Sequence, residues 1–206
     1  MDDKPTNEAA PQHDIVLMMA VRAGDESAFE VLFNQYQQAL LGFFYGLSRN
    51  NSLARDLAQE TFLRVWKIRK RYQASGTFPA YLFGIARLIW LESCRREQKT
   101  WRLGTRQGEE GLADLRAGVS DNPAYQASRT ELHGHIHNAL DQLPEEQRLV
   151  FVLRSIDGLS LDDIASIMDC PVNTVRSRKI LAVKKLRHIL SSVLDSEARE
   201  QYSVHS

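Results

Sequence analysis

The chain is predicted to be all-α, built as two small helical domains joined by a flexible linker. Three observations lead there. Apolar residues recur at three- and four-residue spacing over most of the 206 residues, strand-like alternation is scarce, and one Gly-rich stretch near the middle interrupts the helical pattern. A hydrophobic content of 43% is enough to build cores in a chain of this length.

Residues 1–13, rich in Pro, Asn, Gln and Asp, are expected to form a disordered tail. A first domain follows over residues 14–102. Its helices are marked by Ile15, Met18 and Met19, by Phe29, Leu32, Phe33 and Tyr36, by Leu57, Val65 and Ile68, and by Leu82, Ile85 and Ile89. Gly104 to Pro123 holds four glycines, several acids and few large apolar groups, which places the linker at residues 103–128. The helical spacing resumes at Leu132, Ile136 and Leu140. It pauses at Leu143-Pro144-Glu145-Glu146, where a proline and two acids suit the first turn of a new helix. The second domain is expected over residues 129–194, with residues 195–206 as another disordered tail.

The 26 basic and 26 acidic residues cancel, so nucleic-acid binding requires local clusters of charge. Cys94 and Cys170 lie far apart and outside any C-x-x-C pattern, which argues against a disulfide framework or a zinc site and suits a reducing cytoplasm. The first thirteen residues lack an apolar core and no apolar run approaches a bilayer span, so a soluble, cytoplasmic chain without membrane insertion is expected. There is no Gly-rich phosphate loop, nucleophile elbow or H-E-x-x-H helix, and neither catalysis nor a cofactor is expected.

The charge cluster lies near the C-terminus, in SLDDIASIMDCPVNTVRSRKILAVKKLRHIL. Ser160 can cap a short helix with Asp163 in the capping-box position, and Ile164, Ala165 and Met168 give that helix one apolar face. Asp169-Cys170-Pro171 makes a turn. On the next helix Val175, Ala182, Val183, Leu186, Ile189 and Leu190 share one face, with Asn173, Ser177, Ile180 and Lys184 opposite. Arg176, Arg178, Lys179, Lys184, Lys185 and Arg187 fall between Asn173 and Leu190 with no acid among them, as a helix lying in a major groove requires. A basic helix alone would equally suit an acidic partner protein; the short helix, tight turn and long basic helix in succession favour DNA. Arg176, Lys184 and Arg187 suit phosphates, Asn173 and Ser177 suit base edges, and Ile180 suits a thymine methyl.

The residues LPEEQRLVFVLRSIDGLSLDDIASIMDCPVNTVRSR resemble region 4 of the extracytoplasmic-function branch of the sigma-70 family. DESAFEVLFNQY, DLAQETFLRVW and FPAYLFGIARLIWLESCRR are similar to successive parts of region 2 in that family, so the likeness spans most of residues 14–194. It implies a transcription initiation factor that binds core RNA polymerase through the β′ clamp helices and the β flap. Region 2 of such a factor melts the minus-10 element of promoter DNA and region 4 reads the minus-35 element. Melting needs no ATP where unstacked bases are captured in protein pockets. An anti-sigma factor that clamps the two domains together is implied as well, and Ile180 and Leu181, off the core face of the last helix, are candidate contacts for it.

Placed on this chain, the core-polymerase contact falls on Asp56, Gln59, Glu60 and Leu63, one stripe of a helix whose other side carries Leu57, Thr61, Val65 and Ile68. A solvated face with a Glu60 to Arg64 pair is the alternative reading of the same stripe. The minus-10 contact falls on Arg87, Leu88, Arg95, Arg96, Lys99, Trp101 and Arg102, which offer cations for a strand and apolar or aromatic faces for unstacked bases. The run Arg64, Lys67, Arg69, Lys70 and Arg71 suits a DNA strand or, equally, the end of a helix dipole. The minus-35 contact falls on Asn173, Thr174, Arg176, Ser177, Arg178, Ile180, Lys184 and Arg187. Leu88 stands where the family usually has Asn, Asn173 where it has Gly, and Lys179-Ile180-Leu181-Ala182-Val183 is less cationic than usual, departures that bear on promoter preference more than on fold.

Two rival functions are weaker. A dimeric repressor or activator with the same DNA-binding motif would need a phospho-acceptor or ligand domain, and the first hundred residues show no alternating βα pattern. A metal sensor would draw on His133, His135 and His137, of which only His133 and His137 share a helix face, with no carboxylate or cysteine nearby to complete a sphere.

Overall fold

The computed structural model describes residues 9–102, 134–136, 138–156 and 158–203, and every described regular element is helical. The linker expected at 103–128, together with His133 and His137, lies outside the described residues. Four helices form the N-terminal bundle: α1 (Ala9–Ala23), α2 (Glu26–Ser48), α3 (Asn51–Ile68) and α4 (Phe78–Arg102), with a 3-10 turn at Arg69–Arg71. Three more follow: α5 (Glu145–Arg154), α6 (Leu161–Met168) and α7 (Val172–Ser203), preceded by helical residues 138–141.

The first and last described helices run past the borders that composition suggested for the tails. α1 starts at Ala9 instead of residue 14, with Pro11 in the first turn, where a missing N–H costs nothing. α7 continues past Leu194 to Ser203, a stretch with Glu197, Ala198, Arg199 and Glu200 and neither Gly nor Pro.

Capping chemistry sets the joints. Asp25 accepts from the Ala28 N–H at 3.0 Å to start α2, and Asn50 accepts from the Leu53 N–H at 3.0 Å to start α3. Only Arg49 and Asn50 separate α2 from α3, and Arg49 turns the chain in the left-handed region at φ 56°. Asp14 on α1 is buried and accepts from the Tyr36 hydroxyl and from Gln35 Nε2, which pins α1 against α2. Burial, with the Asp14 carboxylate next, raises the Tyr36 pKa, so this phenol stays a donor.

The bundle core holds Leu40, Phe43, Phe44, Leu82, Phe83 and Ile89, each at most 1% exposed. Phe29, Phe33, Phe62 and Trp66 make a second aromatic group at tilted and edge-on angles between α2 and α3. The apolar set continues without a break into Leu149, Val150, Leu153, Ile164 and Val175 of the C-terminal helices. α4 packs against α6 and α2 against α5. A smaller core, made by Ala139, Leu140, Leu143, Ala182 and Leu186, belongs to the C-terminal unit alone.

Candidate nucleic-acid interface

The C-terminal unit presents a short helix, a turn and a long helix. Ser160 and Asp163 form the reciprocal box: Ser160 Oγ accepts from the Asp163 N–H at 3.0 Å and the Ser160 N–H donates to Asp163 Oδ2 at 2.9 Å. α6 ends at Asp169, left-handed at φ 51°, a conformation that Asp tolerates better than most residues. Val175 and Ala182 are fully buried and Leu186 is 7% exposed, so one side of α7 is committed to packing.

The other side is open. Asn173, Arg176, Ser177, Ile180, Lys184 and Arg187 are all exposed, with Thr174 half-buried. Ile180 is 66% exposed, a high value for an isoleucine, and sits in a groove with Leu161, Val183 and the stems of Arg176, Lys184 and Arg187. The groove thus has an apolar floor and a cationic rim. Lys179, Val183 and Leu161 were not among the expected site residues; Leu161 precedes the turn, and only the angle between α6 and α7 brings it to this face.

Arg178 differs from its neighbours. It is half-buried, 3.0 Å from the Glu146 carboxylate on α5, and its guanidinium donates to the Cys170 sulfur. Its charge is engaged inside the protein, and the spacing of the basic residues alone gives no sign of it. Asn173 and Ser177 are organised by the helix itself: Asn173 Oδ1 accepts from Arg176 at 3.1 Å and Ser177 Oγ donates to the Asn173 carbonyl at 3.0 Å.

On the N-terminal bundle, Asp56, Gln59 and Leu63 form an exposed stripe on α3, with Leu63 at 52% exposure. Leu57, Thr61 and Val65 behind them are buried and Ile68 half-buried. Glu60 is drawn out of the stripe into an ion network. Arg64 reaches Glu60 at 3.0 Å and grips Glu92 of α4 with two bonds of 2.8 and 2.9 Å, and Arg96 lies 3.5 Å from Glu60. The bidentate Arg64 bond, followed by the charges of Arg64, Arg96 and Arg95, holds the Glu92 carboxyl below its usual range. Glu92 was not anticipated as a site residue; its four-residue spacing from Arg96 was the one available signal.

Of the residues expected at the minus-10 strand, Arg87 is half-buried on α4, Leu88 is 51% exposed, and Arg95 and Arg96 are exposed. The side chains of Lys99, Trp101 and Arg102 lie outside the described residues. In the basic run that ends α3, Arg69 stacks 4.0 Å above the Trp66 ring and donates to the Trp66 carbonyl at 2.7 Å, a helix-end role, whereas Lys67, Lys70 and Arg71 are exposed. No group of three or more potential metal ligands forms among the described residues, and no described helix is long and apolar enough to cross a membrane.

Comparison with known proteins agrees with this division. The family model described as Sigma-70 region 2 matches residues 32–100, and the one described as Sigma-70, region 4 matches residues 133–186. The RNA polymerase sigma-H factor of Pseudomonas aeruginosa is 29% identical over 191 residues, covering 89% of this chain and 96% of its own. The ECF RNA polymerase sigma-E factor of Haemophilus influenzae is 29% identical over 168 residues, covering 80% and 88%. Among solved structures, CnrH in complex with the cytosolic domain of CnrY shares the fold at a TM-score of 0.65 and 23% identity, over 87% of this chain and 98% of that one. The sigma factor RpoE in complex with the anti-sigma factor NepR from Bartonella quintana does so at 0.63 and 24%, over 79% and 96%. The two regions, in this order on an all-helical chain, place the protein in the sigma-70 family, within its extracytoplasmic-function branch.

Proposed function

We propose that the chain is a specificity subunit of RNA polymerase: it binds the core enzyme, reads minus-35 and minus-10 elements, and opens promoter DNA without an enzymatic activity of its own. The observation that carries this reading is the separation of two presented surfaces on one chain. One is the mixed, mostly uncharged stripe Asp56, Gln59 and Leu63 on α3; the other is the cation-rimmed groove around Ile180 on α7.

In this reading the α3 stripe docks on the β′ clamp helices, with Leu63 supplying buried apolar area and Gln59 hydrogen bonds. Glu60 acts mainly through the network that fixes α3 against α4. Arg87, Leu88, Arg95 and Arg96, with Lys99, Trp101 and Arg102 beyond them, take the melted minus-10 strand. Leu88 offers an exposed apolar face to an unstacked base where an amide would offer hydrogen bonds. Arg176, Lys184 and Arg187 hold phosphates, Asn173 and Ser177 meet base edges with Thr174 beside them, and Ile180 meets a thymine methyl.

Regulation by an anti-sigma factor is part of the proposal, supported by the likeness to RpoE in complex with the anti-sigma factor NepR. Ile180 and Leu181, 66% and 51% exposed, are the proposed contacts for it. The protein would act where core polymerase and DNA are.

The test is runoff transcription with core RNA polymerase on promoters selected from genomic fragments, alongside Gln59→Ala and Leu63→Ala proteins. Promoter-dependent transcripts that the two substitutions weaken, by roughly 5- to 30-fold in core affinity if they are central contacts, support the reading. Tight binding to duplex DNA as a dimer, with no initiation by any competent core enzyme, would replace it with a conventional helix-turn-helix regulator.

A further inference from the structure

One buried carboxylate belongs to neither presented surface. Asp14 of α1 is 2% exposed, and no ion pair forms at it among the described residues. Its donors are the Tyr36 hydroxyl and, at 3.1 Å, Gln35 Nε2, both on α2. Docking a helix this way is costly, because the carboxylate gives up its hydration and an apolar side chain of similar size would hold α1 to α2 without that penalty. What the carboxylate adds is direction: it fixes where the Tyr36 ring stands.

That ring starts a chain of contacts. Tyr36 meets Phe78 edge-on with centroids 5.3 Å apart, Phe78 meets Tyr81 at 6.3 Å, and Tyr81 meets Tyr72 edge-on at 4.9 Å. Tyr72 and Phe78 are 2% and 1% exposed, and they bracket a segment in which Gln73, Ala74, Ser75 and Gly76 are all exposed. Burial first, and then the charge of Asp14, raises the Tyr72 pKa, so this phenol too stands within reach of the carboxylate. α1 also packs on the 3-10 turn Arg69–Arg71 and on α4. The connection from α3 to α4 is thus anchored at both ends in one aromatic group, and a residue of α1 orients that group.

The same connection joins two parts of the proposed minus-10 surface. Lys70 and Arg71, both exposed, immediately precede Tyr72. Arg87 and Leu88 lie about 15 Å beyond Phe78 along α4. Phe78 shares the buried face of α4 with Leu82, Ile85 and Ile89, so its seat sets the rotation of the helix and with it the direction in which Leu88 is presented.

We propose that Asp14 is a positioning residue for promoter opening: through Tyr36, Phe78 and Tyr72 it holds Lys70 and Arg71 at a fixed spacing from Arg87 and Leu88, so that one melted strand meets both pairs at once. The inference rests on the proposed sigma function. Asp14 itself touches no DNA. A surface whose two parts are already set needs no ordering when the strand arrives, which strengthens binding of the melted state and so draws the duplex open.

Three variants of the full chain test this role. Asp14→Leu removes the acceptor, Tyr36→Phe keeps the ring but removes the donor, and Asp14→Asn restores an acceptor oxygen. Affinities would be measured for core polymerase, for duplex minus-35 DNA and, with the core enzyme, for a single-stranded minus-10 oligonucleotide. Opening of duplex promoter would be followed with 2-aminopurine in the minus-10 element, and amide exchange across residues 69–78 by mass spectrometry.

Asp14→Leu and Tyr36→Phe should bind the single strand about tenfold more weakly, the order of one hydrogen bond to a charged group, and open duplex promoter correspondingly less. Core and minus-35 affinities should stay within about twofold of the parent, since those surfaces are distant from Asp14. Exchange should quicken at residues 69–78 and not along α3, and Asp14→Asn should recover most of the strand affinity. If Asp14→Leu does not fold, Tyr36→Phe carries the same comparison. Equal losses for core polymerase, minus-35 DNA and the single strand would make Asp14 a general clamp of the fold and overturn the proposal, as would unchanged strand affinity in the folded variants. A parent chain that neither binds core polymerase nor opens any promoter would instead sink the sigma reading, and the positioning role with it.

Discussion

The two presented surfaces handle charge in opposite ways. Where α3 meets α4, Arg64, Glu60, Glu92 and Arg96 neutralise one another within 4 Å, and what remains exposed on the adjoining stripe is Asp56, Gln59 and Leu63. On α7, Arg176, Lys184 and Arg187 rim a groove whose lining includes no acid. The contrast shows what charge does in each unit: the bundle uses it to hold two helices in register, and the helix-turn-helix presents it outward to solvent. Density of basic residues in the sequence does not distinguish these uses. Arg64 and Lys184 look alike until a carboxylate is found beside one of them.

Substitution of the rim should have the largest effect. With Lys184→Ala and Arg187→Ala together, affinity for minus-35 DNA should fall at all sequences, and the salt dependence of log affinity should flatten by roughly two units, one for each phosphate no longer neutralised. An unchanged slope in a filter-binding titration would show that these cations do not meet phosphates. Arg178→Ala sharpens the point from within the same helix. Its ion pair with Glu146 predicts a small loss of stability, under about 1 kcal/mol for a half-exposed pair, and no change in the salt slope. A slope change equal to that of Lys184→Ala would mean that Arg178 leaves Glu146 for the DNA.

Glu92→Gln probes the opposite surface. Arg64 lowers the folded-state pKa of Glu92 beneath the ordinary 4.5, so the ionised carboxylate favours the fold above that value and the contribution is lost as pH falls through the folded pKa. Thermal melts should therefore show parent more stable than Glu92→Gln at pH 7, by less than about 1 kcal/mol because the pair faces solvent, with the gap closing in acid. A gap that persisted at pH 2 would assign the effect to packing instead of charge.

The smallest effect expected is chemical. Burial first, then the negative charges of Glu145 and Glu97, push the Cys94 thiol up to about 11. Its alkylation should be slow at neutral pH and rise only above the ordinary thiol range. Because Glu145 of α5 supplies part of that negative charge, Glu145→Gln should speed the reaction slightly; equal rates in both proteins would mean that α5 does not act on this thiol.

The helices themselves were legible along the chain. Three- and four-residue apolar spacing pointed to an all-helical protein, Ser160 with Asp163 marked a helix start that the structure caps in both directions, and the wheel of α7 separated Val175, Ala182 and Leu186 from Asn173, Ser177 and Ile180. These are short-range properties, set by the period of the helix and by a side chain reaching its own backbone three residues away. The family resemblance, carried by local motifs, was legible for the same reason. What each polar group meets was settled by the packing of helices in space. Arg178 on Glu146, Arg64 on Glu92, Thr77 on Asp163 and Arg49 on Asp141 join residues 28 to 92 positions apart. Whether a cation is offered to DNA or satisfied inside the protein depends on which carboxylate that packing brings within 4 Å, and Coulomb attraction at that range is decided by position in space, which helical periodicity along one segment does not specify.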